Sequence, residues 1–161
     1  MSSSDAPAAP EAEREVVIVR EMAVPARFLF RAWSRPEHLV AWFGPPGYPL
    51  TLCEVDFRVG GRYRFAMTSP AGVQMTPFGG EYLAIEPDRL IRYSNRFEEP
   101  GAETMIVTVT FEESAGRTKV TMHTLFGSIA MKRTHLERGY AQGVNAGLDQ
   151  LAALVAGWSD A

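Results

Sequence analysis

RLIRYSNRFEEPGAETMIVTVTFEESAGRTKVTMHTL, residues 89–125, is the stretch that decides the fold. Ile91, Tyr93, Asn95 and Phe97 alternate with Arg92, Ser94 and Arg96, so one set of side chains goes to a covered face and the other to water. Beyond Pro100-Gly101 the alternation resumes, with Met105, Val107, Val109 and Phe111 set against Thr108 and Thr110. After the turn residues Ser114-Ala115-Gly116-Arg117, Val120, Met122 and Thr124 stand against Lys119, Thr121 and His123. The pattern predicts strands at about 89–97, 103–112 and 117–125. Short turns make them antiparallel, with one apolar and one solvated face.

Toward the N-terminus the same alternation predicts strands at about 50–57, 61–68 and 78–86, with Tyr63, Phe65 and Met67 opposite Arg62 and Arg64. The run Phe43-Gly44-Pro45-Pro46-Gly47 before them is a loop, because Gly and Pro punctuate it. Two short helices precede that loop. Pro25 suits a first helical turn, Phe28, Leu29, Ala32 and Trp33 then share a face until Pro36 breaks it, and 37–42 forms the second. From Glu15 to Met22 the run Val16-Val17-Ile18-Val19 predicts a first strand, apolar on both faces and so expected to be mostly covered. Met1 to Arg14, rich in Ser, Ala, Pro and Glu without an apolar period, is expected to be a disordered leader.

Toward the C-terminus Leu136, Tyr140, Val144, Leu148, Leu151 and Val155 recur at three-to-four spacing. They predict one long amphipathic helix, from about 132 to 157, that covers the greasy face of the sheet. The expected fold is therefore α+β in one domain, residues 15–158. A curved seven-stranded antiparallel sheet wraps around a long C-terminal helix, with two short helices between strands 1 and 2.

A chain of 161 residues suits one domain that buries roughly two-thirds of its unfolded surface, enough for a core or an internal cavity. A net charge of −3 gives no long-range attraction to nucleic acid or an anionic membrane. No apolar run approaches the roughly 20 residues that span a bilayer, and no signal peptide is visible, so the expected location is cytosolic. Cys53 is the only cysteine, which excludes an internal disulfide and any multi-cysteine metal site.

Three landmarks occur in a fixed order: Trp42-Phe43-Gly44-Pro45, then Asp56-Phe57-Arg58-Val59-Gly60-Gly61-Arg62-Tyr63-Arg64-Phe65, then Gly143 to Leu151. In this order they resemble the START-related helix-grip (SRPBCC) superfamily, and within it the family named after the activator of the heat-shock protein 90 ATPase. The likeness covers about residues 15–157. Proteins it resembles include co-chaperone domains, lipid and polyketide binders, cyclases, and proteins sacrificed to bind reactive antibiotics, so fold alone does not choose a function.

The resemblance implies a cavity between sheet and last helix. Its sheet side is expected to comprise Tyr63, Phe65, Met67, Tyr93, Asn95, Phe97, Val107 and Val109, and its helical side Trp42, Tyr140, Gly143, Val144 and Gly147. Members of the family usually carry a tryptophan after the helix glycine, where this chain has Val144, and a missing indole leaves space. Gly139, Gly143 and Gly147 fall four apart, predicting a helical stripe without side chains that serves either as close approach to the sheet or as a cavity wall. Each glycine costs a helix roughly 1 kcal/mol relative to alanine, which needs an offset.

Asn95 and Tyr93 put polar atoms on the greasy face, where each needs a partner, a buried water or a ligand group. His38, His123 and His135 make no close metal-ligating pair, His123 falls on the solvated face, and no metal or cofactor is expected. Cys53 reads as a small buried residue, Glu54 and Glu81 as exposed strand carboxylates, and no catalytic residue is named. Arg58, Arg62, Arg64, Arg89, Arg92 and Arg96 read as a solvated sheet face balanced by acids, or else as a protein-docking surface. The function expected is non-enzymatic binding of a hydrophobic or polycyclic small molecule. The alternatives are a module that stimulates a chaperone ATPase, and a polyketide aromatase/cyclase or self-sacrifice resistance protein.

Overall fold

A computed structural model describes residues 9–159. The chain runs α1 (Glu11–Arg14), β1 (Glu15–Met22), α2 (Ala26–Ser34), α3 (Pro36–Trp42), β2 (Leu50–Val55), β3 (Arg62–Met67), β4 (Phe78–Glu86), β5 (Leu90–Phe97), β6 (Met105–Ser114), β7 (Arg117–Leu125), α4 (Ile129–Glu137) and α5 (Tyr140–Ala156). The seven strands form one antiparallel sheet in the order β1-β7-β6-β5-β4-β3-β2, so β2 to β7 are a meander and β1 closes onto the last strand. Registers such as Tyr93↔Val107, Val107↔Thr124 and Ile91↔Val109 align the apolar positions on one face.

The strands follow the alternation, and the helices follow their breakers. Pro25 precedes α2, whose first N–H, from Ala26, is satisfied by Glu113 Oε1 of β6 at 2.8 Å instead of by a local cap. Arg35 is extended at φ −118° and Pro36 opens α3, which ends α2 as the sequence predicts. Leu148, Leu151 and Val155 of α5 are buried. Each contributes roughly 1.5–3 kcal/mol of burial, more than the roughly 1 kcal/mol that a helical glycine costs. Arg20 of β1 reaches across to α5, donating to Asp149 Oδ1 at 2.6 Å and to the Asn145 carbonyl at 3.2 Å.

Four expectations are corrected. The predicted helix over 132–157 is two helices, because Gly139 sits at φ +87° between α4 and α5, a left-handed turn that an α-helix cannot include. Leu136 therefore lies on α4 and is 37% exposed, outside the apolar face of α5. β1 is an edge strand rather than a covered one: Val17 and Val19 are 51% and 50% exposed, while Val16 and Ile18 pack on the core. Finally, Glu11–Arg14, expected to belong to a disordered leader, is structured. Glu11–Arg14 is helical, and Arg14 donates to the carbonyls of Ala9 and Phe126 at 2.8 Å each, which ties this segment to the end of β7. Residues 1–8 of that leader lie outside the described residues.

Candidate ligand cavity

Two adjacent glycines, Gly79 and Gly80, sit where β4 pairs with β3. A Cβ on Gly79 would collide with the Tyr63 carbonyl, and one on Gly80 with the Ser94 carbonyl. Their absence lets the strands approach and leaves the aromatic side chains of β3 and β5 facing each other. Tyr63 stands edge-on to Tyr93 at 5.5 Å and lies 4.9 Å from Phe65, which in turn meets Phe43 at 5.3 Å and Phe78 at 6.0 Å.

Between these rings and α5 lies a cavity of about 710 Å³. From the sheet, Tyr63, Phe65, Met67, Tyr93, Asn95, Phe97 and Val107 line it. From the helices come Trp42, Tyr140, Gly143, Val144 and Gly147. Val109 is the exception among the expected wall residues. It is fully buried between Ile91 and Met122 in the ladders, on β6, the strand that α2 packs against. The exposed lining residues mark the opening: Met75 and Thr76 between β3 and β4, Glu99 just after β5, and Arg138 at the α4–α5 turn.

The three glycines of the expected stripe have three different roles. Gly139 makes the turn. A Cβ on Gly143 would meet nothing within 4 Å, so this position is open cavity wall. A Cβ on Gly147 would lie 3.6 Å from the Trp42 carbonyl and from the Gly44 nitrogen, so here the helix passes the loop after α3 and not the sheet. Gln150 fastens the same approach, donating to the carbonyls of Trp42 and Gly44.

Polar atoms in the cavity are few and placed. The Trp42 indole N–H is spent on the Ala32 carbonyl at 3.0 Å. Tyr140 and the buried Thr124 share a hydrogen bond of 2.7 Å, and the Tyr63 hydroxyl lies 2.7 Å from the Ser94 carbonyl and 2.8 Å from the Asn95 side-chain amide. Asn95 thus pairs with Tyr63 rather than with Tyr93. Burial pushes the phenols of Tyr63, Tyr82, Tyr93 and Tyr140 above their ordinary range, so they stay protonated at neutral pH.

Sequence reasoning missed His135, which lines the cavity among Phe97, Phe126 and Tyr140, with its Nδ1 3.0 Å from the Met131 carbonyl. Tyr82, Phe78, Met105 and Met122 also line it; period-two alternation placed Met105 and Met122 on the inner face, and the same period over 78–82 is the signal that would have found Phe78 and Tyr82. Trp33 lines it from α2.

Of the singled-out titratable residues, Cys53, His38, His123 and the sheet-face arginines do not line the cavity. Half-buried Cys53 lies on β2, its thiol pushed up to about 11 by burial, which makes it a poor nucleophile. Half-buried His123 donates to Glu15 across the β1–β7 pair at 2.7 Å. On the outer face Arg64 clasps Glu98 at 2.7 and 2.9 Å, Arg58 pairs with Asp56, and Arg89 with Glu86. Such exposed pairs belong to a solvated sheet face, and each is worth little.

A curved antiparallel sheet closed by a helix over an apolar cavity defines a helix-grip domain. The sequence matches the family described as activator of Hsp90 ATPase homolog 1-like protein over residues 23–156, and the chain belongs to that family. Among solved structures it is similar to a protein from Chromobacterium violaceum, at 30% identity and TM-score 0.75, covering 88% of this chain and 96% of that one. It is also similar to one from Nitrosomonas europaea, at 25% identity and TM-score 0.80, covering 91% and 96%. A protein from Arthrobacter aurescens, 23% identical, shares the fold at TM-score 0.83 over 94% and 91% of the two chains. No curated protein matches the chain. Among the described residues no helix is long and apolar enough to cross a membrane.

Proposed function

We propose that this protein binds a hydrophobic, ring-containing small molecule in the cavity between the sheet and α5. The observation that supports this reading best is the cavity itself: about 710 Å³ walled mainly by aromatic and methionine side chains, with open space where Gly143 lacks a Cβ. That volume lies in the range of small-molecule sites, and a lining of apolar groups with a few fixed polar atoms is their usual chemistry. Val144, where the resembling proteins carry an indole, keeps that space from being filled by the protein itself.

Screening hydrophobic ring compounds by NMR shift perturbation tests the reading, with Gly143→Trp as the blocked control. A ligand is expected to move the resonances of Tyr93, Asn95 and Val144 in the wild type and to leave the variant's unchanged, while the variant melts within a few degrees of the wild type. A melting temperature lowered by many degrees would show the volume is already filled, because overpacking a closed core costs typically about 1–3 kcal/mol.

A further inference from the structure

Tyr63 of β3 faces Gly80 across the β3–β4 ladder. Because Gly80 has no side chain, the Tyr63 ring crosses β4 and its hydroxyl reaches β5, 2.7 Å from the Ser94 carbonyl oxygen and 2.8 Å from the Asn95 amide atom placed as Oδ1. The β4–β5 pairing is interrupted at this point. Gly79↔Arg96 and Tyr82↔Tyr93 flank the gap, and the Glu81 N–H turns to Ser94 Oγ at 3.0 Å.

Counting protons fixes the direction of these bonds. A phenol has one proton, and a backbone carbonyl can only accept. The Tyr63 proton therefore goes to Ser94. An amide oxygen held 2.8 Å from the same phenol oxygen would set lone pair against lone pair, so the amide atom at that position must be the nitrogen, with Asn95 Nδ2 donating to Tyr63 Oη. The two ends of an asparagine amide have nearly the same shape, and only the hydrogen-bond network decides which is which. Asn95 Oδ1 then takes the other position, where no protein partner meets it among the described residues. No fully enclosed side-chain oxygen or nitrogen lacks a partner there, so this atom lies on accessible surface, and Asn95 lines the cavity.

His135 carries the same sign. Its Nδ1 sits 3.0 Å from the Met131 carbonyl and must carry a proton, so whenever the ring holds a single proton Nε2 is an acceptor in a residue that lines the same cavity. At the mouth Arg138 and Glu99, both exposed, add one charge of each sign.

We infer that the cavity selects a hydrogen-bond donor: a ring compound bearing hydroxyl groups, one of which donates to Asn95 Oδ1. This rests on the proposal that the cavity holds a hydrophobic ring compound, and narrows it. A ligand of equal shape carrying an ether or ketone at that point would strip water from Asn95 Oδ1 and return nothing, because two acceptors do not bond.

Matched pairs of probes test this: 2-naphthol against 2-methoxynaphthalene, and 17β-estradiol against its 3-methyl ether, titrated by NMR shift perturbation. The phenols are expected to bind about tenfold more tightly than the ethers, the ratio that one hydrogen bond of about 1.4 kcal/mol produces. In Asn95→Leu the ratio should fall to about one. Ethers that bind as tightly as phenols, and that Gly143→Trp still excludes, would overturn the donor inference and leave the cavity reading intact. Binding by none of the four overturns both. A ligand-free measurement stands beside the titration: Asn95 Hδ2 protons should show strong nuclear Overhauser effects to the Tyr63 ring. Finding those protons remote from Tyr63 reverses the amide and the inference with it.

Discussion

Glycine has opposite meanings at two positions of this chain, and neither meaning can be read from the letter alone. At Gly80 a Cβ would run into the Ser94 carbonyl, which is backbone and cannot step aside, whereas at Gly143 it would meet nothing within 4 Å. Gly80→Ala is therefore expected to cost about 2 kcal/mol or more of stability, by forcing the β4–β5 strands apart. Gly143→Ala is expected to add up to about 1 kcal/mol, because α5 gains a better helix former and loses no contact. Urea unfolding of the two variants checks the signs, and a destabilised Gly143→Ala would mean the cavity wall is not open there. The alternation in residues 89–125 was enough to set Tyr93, Asn95 and Phe97 on the inner face, since a period of two survives any sheet curvature. The partner of Asn95 was not legible. Tyr63 is two strands away and reaches it only because the residue between them is Gly80, a three-strand coincidence that no local pattern encodes.

At the scale of elements, the strands were legible and the last helix was misjudged, for one physical reason. Apolar spacing of three to four continues from Leu136 to Tyr140 with no visible interruption, so periodicity alone joins α4 to α5. The break is conformational. Gly139 adopts φ +87°, and its N–H closes the end of α4 on the Leu136 carbonyl at 3.1 Å, while its own carbonyl receives the Gly143 N–H at 2.9 Å to start α5. Gly139→Ala separates the two readings. In one continuous helix it would stabilise the protein by roughly 1 kcal/mol. With the turn present it forces a side chain into the left-handed region and is expected to destabilise by roughly 1–2 kcal/mol, read as a lowered melting temperature. The same turn holds Arg138 at the cavity opening and fixes the end of α4 that carries His135 of the lining, so the variant should also weaken any ligand that binds there. β1 was misjudged differently. Its run of β-branched residues specifies a strand on either face, and only the pairing, which sets Val17 and Val19 beside His123 and Thr121 on the uncovered outer face, decides that they meet water.

Over the whole molecule, the far end of α5 needs an anchor if the near end is to border a cavity, and Trp158 provides it. Just past the helix, its indole stands edge-on to Phe28 of α2 at 5.9 Å, lies 4.7 Å from the His38 ring of α3, and has the Arg31 guanidinium 5.8 Å from its centroid. Trp158→Ala is expected to cost about 2 kcal/mol, since the indole is only partly buried. His38 gives this clamp a pH dependence whose sign two effects contest. An imidazolium over an indole face would be favoured as a cation, raising the folded pKa and strengthening the clamp in acid. Against this, burial lowers the His38 pKa below its ordinary value, Glu37 pulls the other way, and Arg35 and Arg31 oppose a further positive charge. The net direction is down, so the folded protein prefers the neutral ring. Above pH about 6.5 neither folded nor unfolded His38 is charged and it contributes nothing to the pH dependence. As pH falls through that value the unfolded chain takes up its proton first, the folded chain lags, and stability declines until the folded pKa is passed. Urea midpoints at pH 7.5 and 5.5 should therefore fall further in the wild type than in His38→Gln. A wild type that loses less than the variant would mean that the indole, and not burial with the two arginines, governs the charge of His38.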